Sequence, residues 1–573
     1  MDQQQQIIIP SPSWNSNDWS YIAEGGKHAI FRYSGIDCNF SGHVLRIAKS
    51  DLARASSFHA ENDGRKSASS SSTSSRTSNV IESMEESTTQ TFQRKIVQPL
   101  LGHCYLDLAR LVRLPASCCA QLHHRTLVSN SIPPSRLPSW KHDDTKDGAV
   151  EPISHEWVMA ALLHDHTHLS RHPLSPISNN IIDDKPTVLS VEIKPKAGYI
   201  TSSPLVLPSH RCKYYRTRYS LQQELMKKGH IQKGWRRMKK AEDAQHSTAN
   251  SNTIPDAFTP SNYSPLDLFS DNPIQIQKAL EDLSHNMQNN FRVWCNGRQI
   301  FGEYEAPTEN DCRKILNEFF LHTENNTREQ LSDPKSSLID AITRTVSEVL
   351  DRESLLSNIL SMQQLDVIDD DGAVEIYERL VHLCDGSHSE AEKLLDQAAL
   401  IPSNGLAAEM IGDKNDLISA SPYIFPVCNS LDKLLGETSK FQKYFLGCVL
   451  ERSGPKEDIM NATHITCIEC VNHLSKEACI YLLQNWLLSL ALCDVSVFVT
   501  FQLLTDQEHK SVEECQSCDL GGVALLSLQT DALAPAPSMA VHYEVKVVDC
   551  DPKPAKKLRG RGEVESKFQF ITI

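Results

Sequence analysis

Apolar and polar positions alternate with a period of two in Ala29-Ile30-Phe31-Arg32-Tyr33 and in His43-Val44-Leu45-Arg46-Ile47. This predicts strands with one buried face between about residues 14 and 50, joined by a glycine-rich turn. Asp271-Asn272-Pro273, followed by Ile274, Ile276, Ala279 and Leu280, predicts a helix with a capping side chain and a proline in its first turn. Asn296-Gly297, between Arg292-Val293-Trp294-Cys295 and Arg298-Gln299-Ile300-Phe301, predicts a tight hairpin. The stretch from about 305 to 420 has acidic and amphipathic helical patterns and reads as a helical insertion. Asp494-Val495-Ser496-Val497-Phe498-Val499-Thr500-Phe501 is β-branched after an apolar helix, predicting an interior strand with its aspartate at the beginning.

One further strand-like run, Val191 to Ile200, contains Lys194-Pro195-Lys196. A pleated strand puts positions i and i+2 on one side, so both ammonium groups would enter one site and call for an anion between them. Pro195 donates no ladder hydrogen bond, which suits a strand end at the edge of a pocket. The plainer alternative is a pair of solvated lysines on a surface turn.

Composition narrows the possible functions. At 573 residues the chain has room for roughly two to four domain-sized units. A formal net charge of −15 argues against general binding to nucleic acid or membrane surfaces, so any polyanion site must be local. Seventeen cysteines, an odd number scattered along the chain, do not form a disulfide framework pattern. The first residues have neither a basic start nor a long apolar core, and Tyr481 to Leu492 is interrupted by Gln484, Asn485 and Ser489. Neither a secretory signal nor a membrane span is expected, and cytoplasm or nucleus follows. Ser67 to Ser78 is low in complexity and reads as a disordered insertion.

Several clusters have the residue types of phosphate chemistry. Gly25 and Gly26, before a strand, would let backbone N–H groups approach a phosphate, though a plain hairpin turn fits as well. Arg46 on the following strand is placed to reach the same phosphates, or is a half-exposed strand arginine. Between Arg211 and Lys240 there are eleven lysines and arginines against one acid, Glu224. Its Arg216 to Lys228 part is read as an anion site, and Arg236 to Lys240 as a solvated or targeting patch. Asn289, Asn290 and Arg292 offer amides and a guanidinium fork to phosphate oxygens. Asp549 and Asp551, two apart on a segment read as extended and followed by Lys553, Lys556, Lys557, Arg559 and Arg561, offer hard oxygen ligands for Mg²⁺ beside cations for phosphate.

In this order the motifs resemble those of the inositol-pentakisphosphate 2-kinase family: EGGKHA at 24–29, VLRIAK at 44–49, PLLG at 99–102 and EIKPKAGY at 192–199. RYSLQQ at 218–223, SPLDLFSD at 264–271, QNNFRVWCNG at 288–297, CDVSVFVTF at 493–501 and DCDPKP at 549–554 complete the series. EIKPK and QNNxRV are the most specific; the others count mainly through their order.

The resemblance implies an α+β, two-lobed inositol-phosphate kinase fold, distantly like protein kinases, with ATP between the lobes. The expected N-terminal lobe spans 14–160, with a serine-rich insertion at about 55–92. The expected C-terminal lobe spans 161–573, with a linker at about 241–262 and the helical insertion at about 305–420. The implied reaction is transfer of the ATP γ-phosphate to the 2-hydroxyl of inositol 1,3,4,5,6-pentakisphosphate, giving the hexakisphosphate, phytate.

Carried over by position, Gly25, Gly26 and Arg46 would hold ATP phosphates, with Asp165 and His166 at the adenine hinge. Lys194, Lys196, Asn289, Asn290, Lys553 and Lys557 would hold the inositol phosphate, and Arg292 the phosphates of both substrates. Asp494 would be the general base, and Asp549 and Asp551 would hold Mg²⁺. Some members of the family have a structural zinc; His464, Cys467, Cys470 and His473 have suitable ligand types here, but their uniform spacing of three does not converge on one helix.

The chain departs from the family pattern at His28, Asp51, Gln222 and Met226. These substitutions leave open a non-catalytic inositol-phosphate-binding protein on the same fold. Nucleic-acid binding through 211–240 is a third reading, set against the overall negative charge. A monomer is the working expectation.

Overall fold

The structure, a computed structural model, describes residues 15–24, 28–37, 39–55, 88–128, 157–169, 187–230, 259–302, 307–317, 333–398, 431–453, 468–503, 523–526, 539–559, 561 and 566–571. They fall into two compact units. The first takes the described residues up to 55 and from 107 to 169, and the second takes 88–106 and those from 187 onward. The architecture is α+β, with one antiparallel sheet in each unit.

In the first unit, β1 (Trp19–Glu24), β2 (His28–Tyr33), β3 (His43–Ala48), β4 (Arg110–Pro115) and β5 (Trp157–His164) pair in the order β1-β2-β3-β5-β4. The alternation in the sequence becomes a one-sided sheet: Trp19, Phe31, Leu45, Ile47, Leu114 and Leu162 join one core together with Leu122 of helix α1 (Ala116–Val128). β5 runs through residues 160 and 161, where the lobe boundary was expected, because it pairs with both β3 and β4.

In the second unit, β6 (Val188–Ile193), β7 (Phe291–Cys295), β8 (Arg298–Phe301), β9 (Ser496–Leu503), β10 (Val523–Leu526) and β11 (Met539–Val548) pair in the order β10-β11-β9-β6-β7-β8. The main helices of this unit are α2 (Arg218–Lys227), α3 (Pro273–His285), α4 (Pro334–Arg352), α5 (Leu355–Gln363), α6 (Asp369–Leu383), α7 (His388–Ala398), α8 (Leu431–Ser453) and α9 (Lys476–Leu492). The expected cap is present, with Asn272 Oδ1 accepting from Ile274 N at 3.0 Å. The hairpin turn also forms, with Asn296 and Gly297 both at positive φ, as a two-residue primed turn demands.

Every residue of α9 from Ala478 to Leu492 is buried, so the helix is enclosed by the core on all sides and delivers the chain to Asp494. The described residues contain no helix long and apolar enough to cross a membrane.

Two expectations about local geometry are corrected. β6 ends at Ile193, and Lys196 has a left-handed backbone, φ +62°, so Lys194 and Lys196 lie on a turn and not on one face of a strand. Pro195 cannot extend the ladder, which is why the pleat stops there. Asp549 is also left-handed, φ +64°, just past β11, so the Asp549/Asp551 pair is not on an extended segment. The 305–420 stretch is helical where described, but α5 and α6 bond directly to the lysine turn and the basic run, as detailed below.

Candidate active site

The turn after β6 is held by five hydrogen bonds from distant residues. Lys194 N–H donates to Asn290 O at 2.9 Å, and the Tyr263 hydroxyl donates to Pro195 O at 2.7 Å. Gln363 at the end of α5 donates to Lys196 O at 2.9 Å and accepts from Gly198 N at 2.8 Å. The Tyr199 hydroxyl donates to Asp366 Oδ2 at 2.9 Å. Gly198 is required by close approach: a Cβ there would lie 2.0 Å from Cδ2 of Phe269, in the SPLDLFSD segment. A left-handed lysine is strained, and this bracing offsets the cost.

The turn brings Lys194 and Lys196 near each other and near Asp494. Burial lowers the Lys196 pKa, with Lys194 acting in the same direction, while Asp494 opposes the shift. Asp494, two residues before β9, is 53% exposed and accepts an ion pair from Lys553 Nζ at 3.3 Å. Desolvation works to raise its pKa, but Lys553, Lys196 and Lys557 prevail and the net shift is downward. Four lysines from two distant stretches therefore share one electrostatic environment with one ionised, accessible carboxylate.

Other expected site residues divide between reactive surface and scaffold. Arg292 pairs across the sheet with Glu192, Nη1 to Oε2 at 3.2 Å, and Glu192 also accepts from Ser496 Oγ at 2.7 Å. Asn289 is exposed. Asn290 is buried and its amide donates to the Tyr219 hydroxyl at 3.3 Å, so it fixes Lys194 and α2 as much as it offers a donor. Asp549 is exposed and Asp551 half-buried, on either side of Cys550, whose thiol pKa is raised first by burial and then by these two carboxylates. Such hard, adjacent oxygen donors fit Mg²⁺.

In the first unit, Arg46 Nη2 lies 3.2 Å from His28 Nδ1, so the histidine that departs from the family pattern touches the expected phosphate ligand. Gly25 and Gly26 lie outside the described residues. Asp165 is committed to the fold: its carboxylate takes Arg32 Nε at 2.5 Å and the Thr167 hydroxyl at 2.6 Å, and its N–H donates to Gly42 O at 2.9 Å. His166 Nδ1 lies 3.9 Å from Asp107 Oδ2.

The Arg216 to Lys228 anion site is corrected. Arg216 pairs with Glu224, Lys228 with Glu224 at 2.8 Å, and Arg218 with Asp370 at 2.5 Å, so these cations are largely neutralised by protein carboxylates. The suggested zinc cluster also gains no support. His464 and Cys467 lie outside the described residues, Cys470 is buried in an apolar core and His473 is exposed; no metal-binding group of three or more His, Cys, Asp or Glu occurs among the described residues.

A family profile described as inositol-pentakisphosphate 2-kinase matches residues 21–567, nearly the whole chain. The chain belongs to the inositol-pentakisphosphate 2-kinase family. Its relatives include the inositol-pentakisphosphate 2-kinase of Arabidopsis thaliana, 25% identical over 410 residues, covering 69% of this chain and 78% of the relative. The proteins of that name from Oryza sativa subsp. indica and Danio rerio are each 24% identical, covering 64% of this chain and 70% of the relative.

Within this family of kinases, the residues that sequence motifs alone missed are supports. Gln363, Asp366 and Asp370 lie in a stretch with no family motif, and no periodicity ties the first two to a turn more than 150 residues earlier or the third to Arg218. Glu192 was visible as part of EIKPK, but its bonds to Arg292 and Ser496 required the sheet register.

Proposed function

We propose that this protein transfers the γ-phosphate of ATP to the 2-hydroxyl of inositol 1,3,4,5,6-pentakisphosphate. Family membership supports the reaction class. The observation that carries the mechanism is the ionised, exposed Asp494 among Lys194, Lys196, Lys553 and Lys557. Phosphoryl transfer asks chiefly for positioning and charge neutralisation, and a densely phosphorylated ring is an anion suited to this lysine group.

Asp494 accepts the hydroxyl proton as the ring oxygen bonds to the γ-phosphorus; the bond from that phosphorus to the β-bridging oxygen breaks and ADP leaves. Lys194, Lys196, Asn289, Asn290, Lys553 and Lys557 are assigned to the ring phosphates, and Arg292 to those of both substrates. Arg46 and the Gly25-Gly26 loop are assigned to ATP, with the Asp165-His166 turn at the adenine and the Asp165 carboxylate holding that turn in shape. Asp549 and Asp551 would hold Mg²⁺, which when bound neutralises charge on the transferred group. The fold is read as the two-lobed architecture distantly related to protein kinases.

No observation favours the non-catalytic alternative, since the predicted base is accessible and charged. Neutralisation of Lys213, Arg216 and Arg218 by Glu224 and Asp369–Asp371 weakens the nucleic-acid reading. The test is a phosphate-transfer assay with the pentakisphosphate and Asp494→Ala. The variant should keep ring binding and lose about 100-fold or more in turnover. Tight ring binding without turnover by the unmutated protein would overturn the proposal.

A further inference from the structure

The primary amide of Gln363 uses both of its N–H donors and its carbonyl oxygen. Fully buried at the end of α5, it accepts from Gly198 N at 2.8 Å and donates to Lys196 O at 2.9 Å and to Leu492 O at 3.1 Å. Its own backbone carbonyl accepts the Ser489 hydroxyl of α9 at 2.6 Å. Lys196 O and Gly198 N belong to the strained turn that carries the phosphate lysines, and Leu492 O is two residues before Asp494. One side chain therefore joins two backbone segments nearly 300 residues apart, one bearing the ammonium and the other the carboxylate.

Other bonds brace each segment separately, but the Gln363 amide bonds to both. Lys196 holds a left-handed conformation that a lysine does not choose unaided. Leu492 closes a helix, where terminal carbonyls lack an intrahelical partner and need one from elsewhere. We infer that Gln363 is a positioning residue for phosphoryl transfer, setting the placement of Lys196 relative to Asp494 by bonding the backbone of both segments. It touches neither substrate. The inference rests on the assignment of Asp494 as base and Lys196 as phosphate ligand.

Three amide bonds are lost in Gln363→Met, which nearly conserves volume. Gln363→Glu keeps the acceptor for Gly198 but places a carboxylate against two carbonyl oxygens, so it breaks the bridge by a second route. With saturating ATP and pentakisphosphate, either variant should lower kcat on the order of 100-fold, as expected for a displaced reacting group, with KM for ATP unchanged. A folding defect alone would reduce the active fraction and the melting temperature, so active sites are titrated first and kcat is normalised to them.

The decisive measurement is the cycle with Lys196→Met. If Gln363 acts through Lys196, the Gln363→Met/Lys196→Met double variant is no slower than Lys196→Met alone. Multiplicative losses in the double variant, or wild-type kcat in both Gln363 variants, would overturn the inference. Wild-type turnover in Asp494→Ala would instead remove the base assignment beneath it, so the two failures are told apart.

Discussion

As the proposed base, Asp494 has to be ionised before substrate arrives and still accept a proton during transfer. Burial alone would favour its neutral form, yet three lysines hold its pKa below the ordinary carboxylate range. A carboxyl with a depressed pKa remains charged as pH falls through neutral and mildly acidic values, so the base form is available there. The same ammonium groups are attracted to ring phosphates, and a bound polyanion therefore loosens their hold on Asp494 and restores its basicity. In Lys553→Met the nearest ammonium, at 3.3 Å, is lost. The acidic limb of the kcat/KM profile should move to higher pH, and kcat/KM at pH 7.5 should fall about 10- to 100-fold through loss of a charged phosphate contact. An unmoved limb would show that Lys553 does not control the base.

At the scale of elements, the lysine turn is constrained by its surroundings. Tyr263 and Phe269, Asn290, and Gln363 and Asp366 reach it from three separate stretches, so its shape is imposed from outside. Gly198→Ala would drive a methyl into the Phe269 ring. It should destabilise the protein by about 1–3 kcal/mol in denaturant unfolding and reduce activity more than a surface Gly→Ala change. β2, β3, the Asn272 cap and the Asn296-Gly297 hairpin were legible because their signals act over two to four residues. The same reasoning misread Lys194-Pro195-Lys196 as pleated, since the bonds that turn the chain there come from residues 68 to 167 positions away.

At the scale of the whole molecule, part of the positive charge in the described residues of the 211–240 stretch, 211–230, is answered by acids far along the chain. Lys213 meets Asp369 at 2.6 Å and Asp371 at 3.1 Å, while Arg218 and Arg561 share Asp370 at 2.5 and 2.9 Å. This network ties α2 and the C-terminal residues to α6, so the supposed helical insertion is part of the scaffold behind the site. The crowding has a cost at Asp366, where desolvation, then Asp369 and Asp370, raise the carboxyl to about 7. Its folded pKa lies above the unfolded value near about 3.9, so stability is greatest below that value and declines as pH rises towards 7. Asp366→Asn should therefore stabilise the protein by about 1–3 kcal/mol at pH 8, with the gain vanishing near pH 4. An equal effect at both pH values would exclude ionisation as the cause.

The sequence by itself carried the resemblance to the family and the strands and caps with short-range signals, and it nominated Asp494 as the base and the four lysines as phosphate ligands, roles that stay with the proposal. Only the tertiary structure decided which cations face the site and which are spent on protein carboxylates, that the lysine turn is left-handed, and that Gln363 joins it to the end of α9. The physical reason is that hydrogen bonds and ion pairs depend on distance in space. Between Gly198 and Gln363, or Arg218 and Asp370, separation along the chain carries no information about that distance.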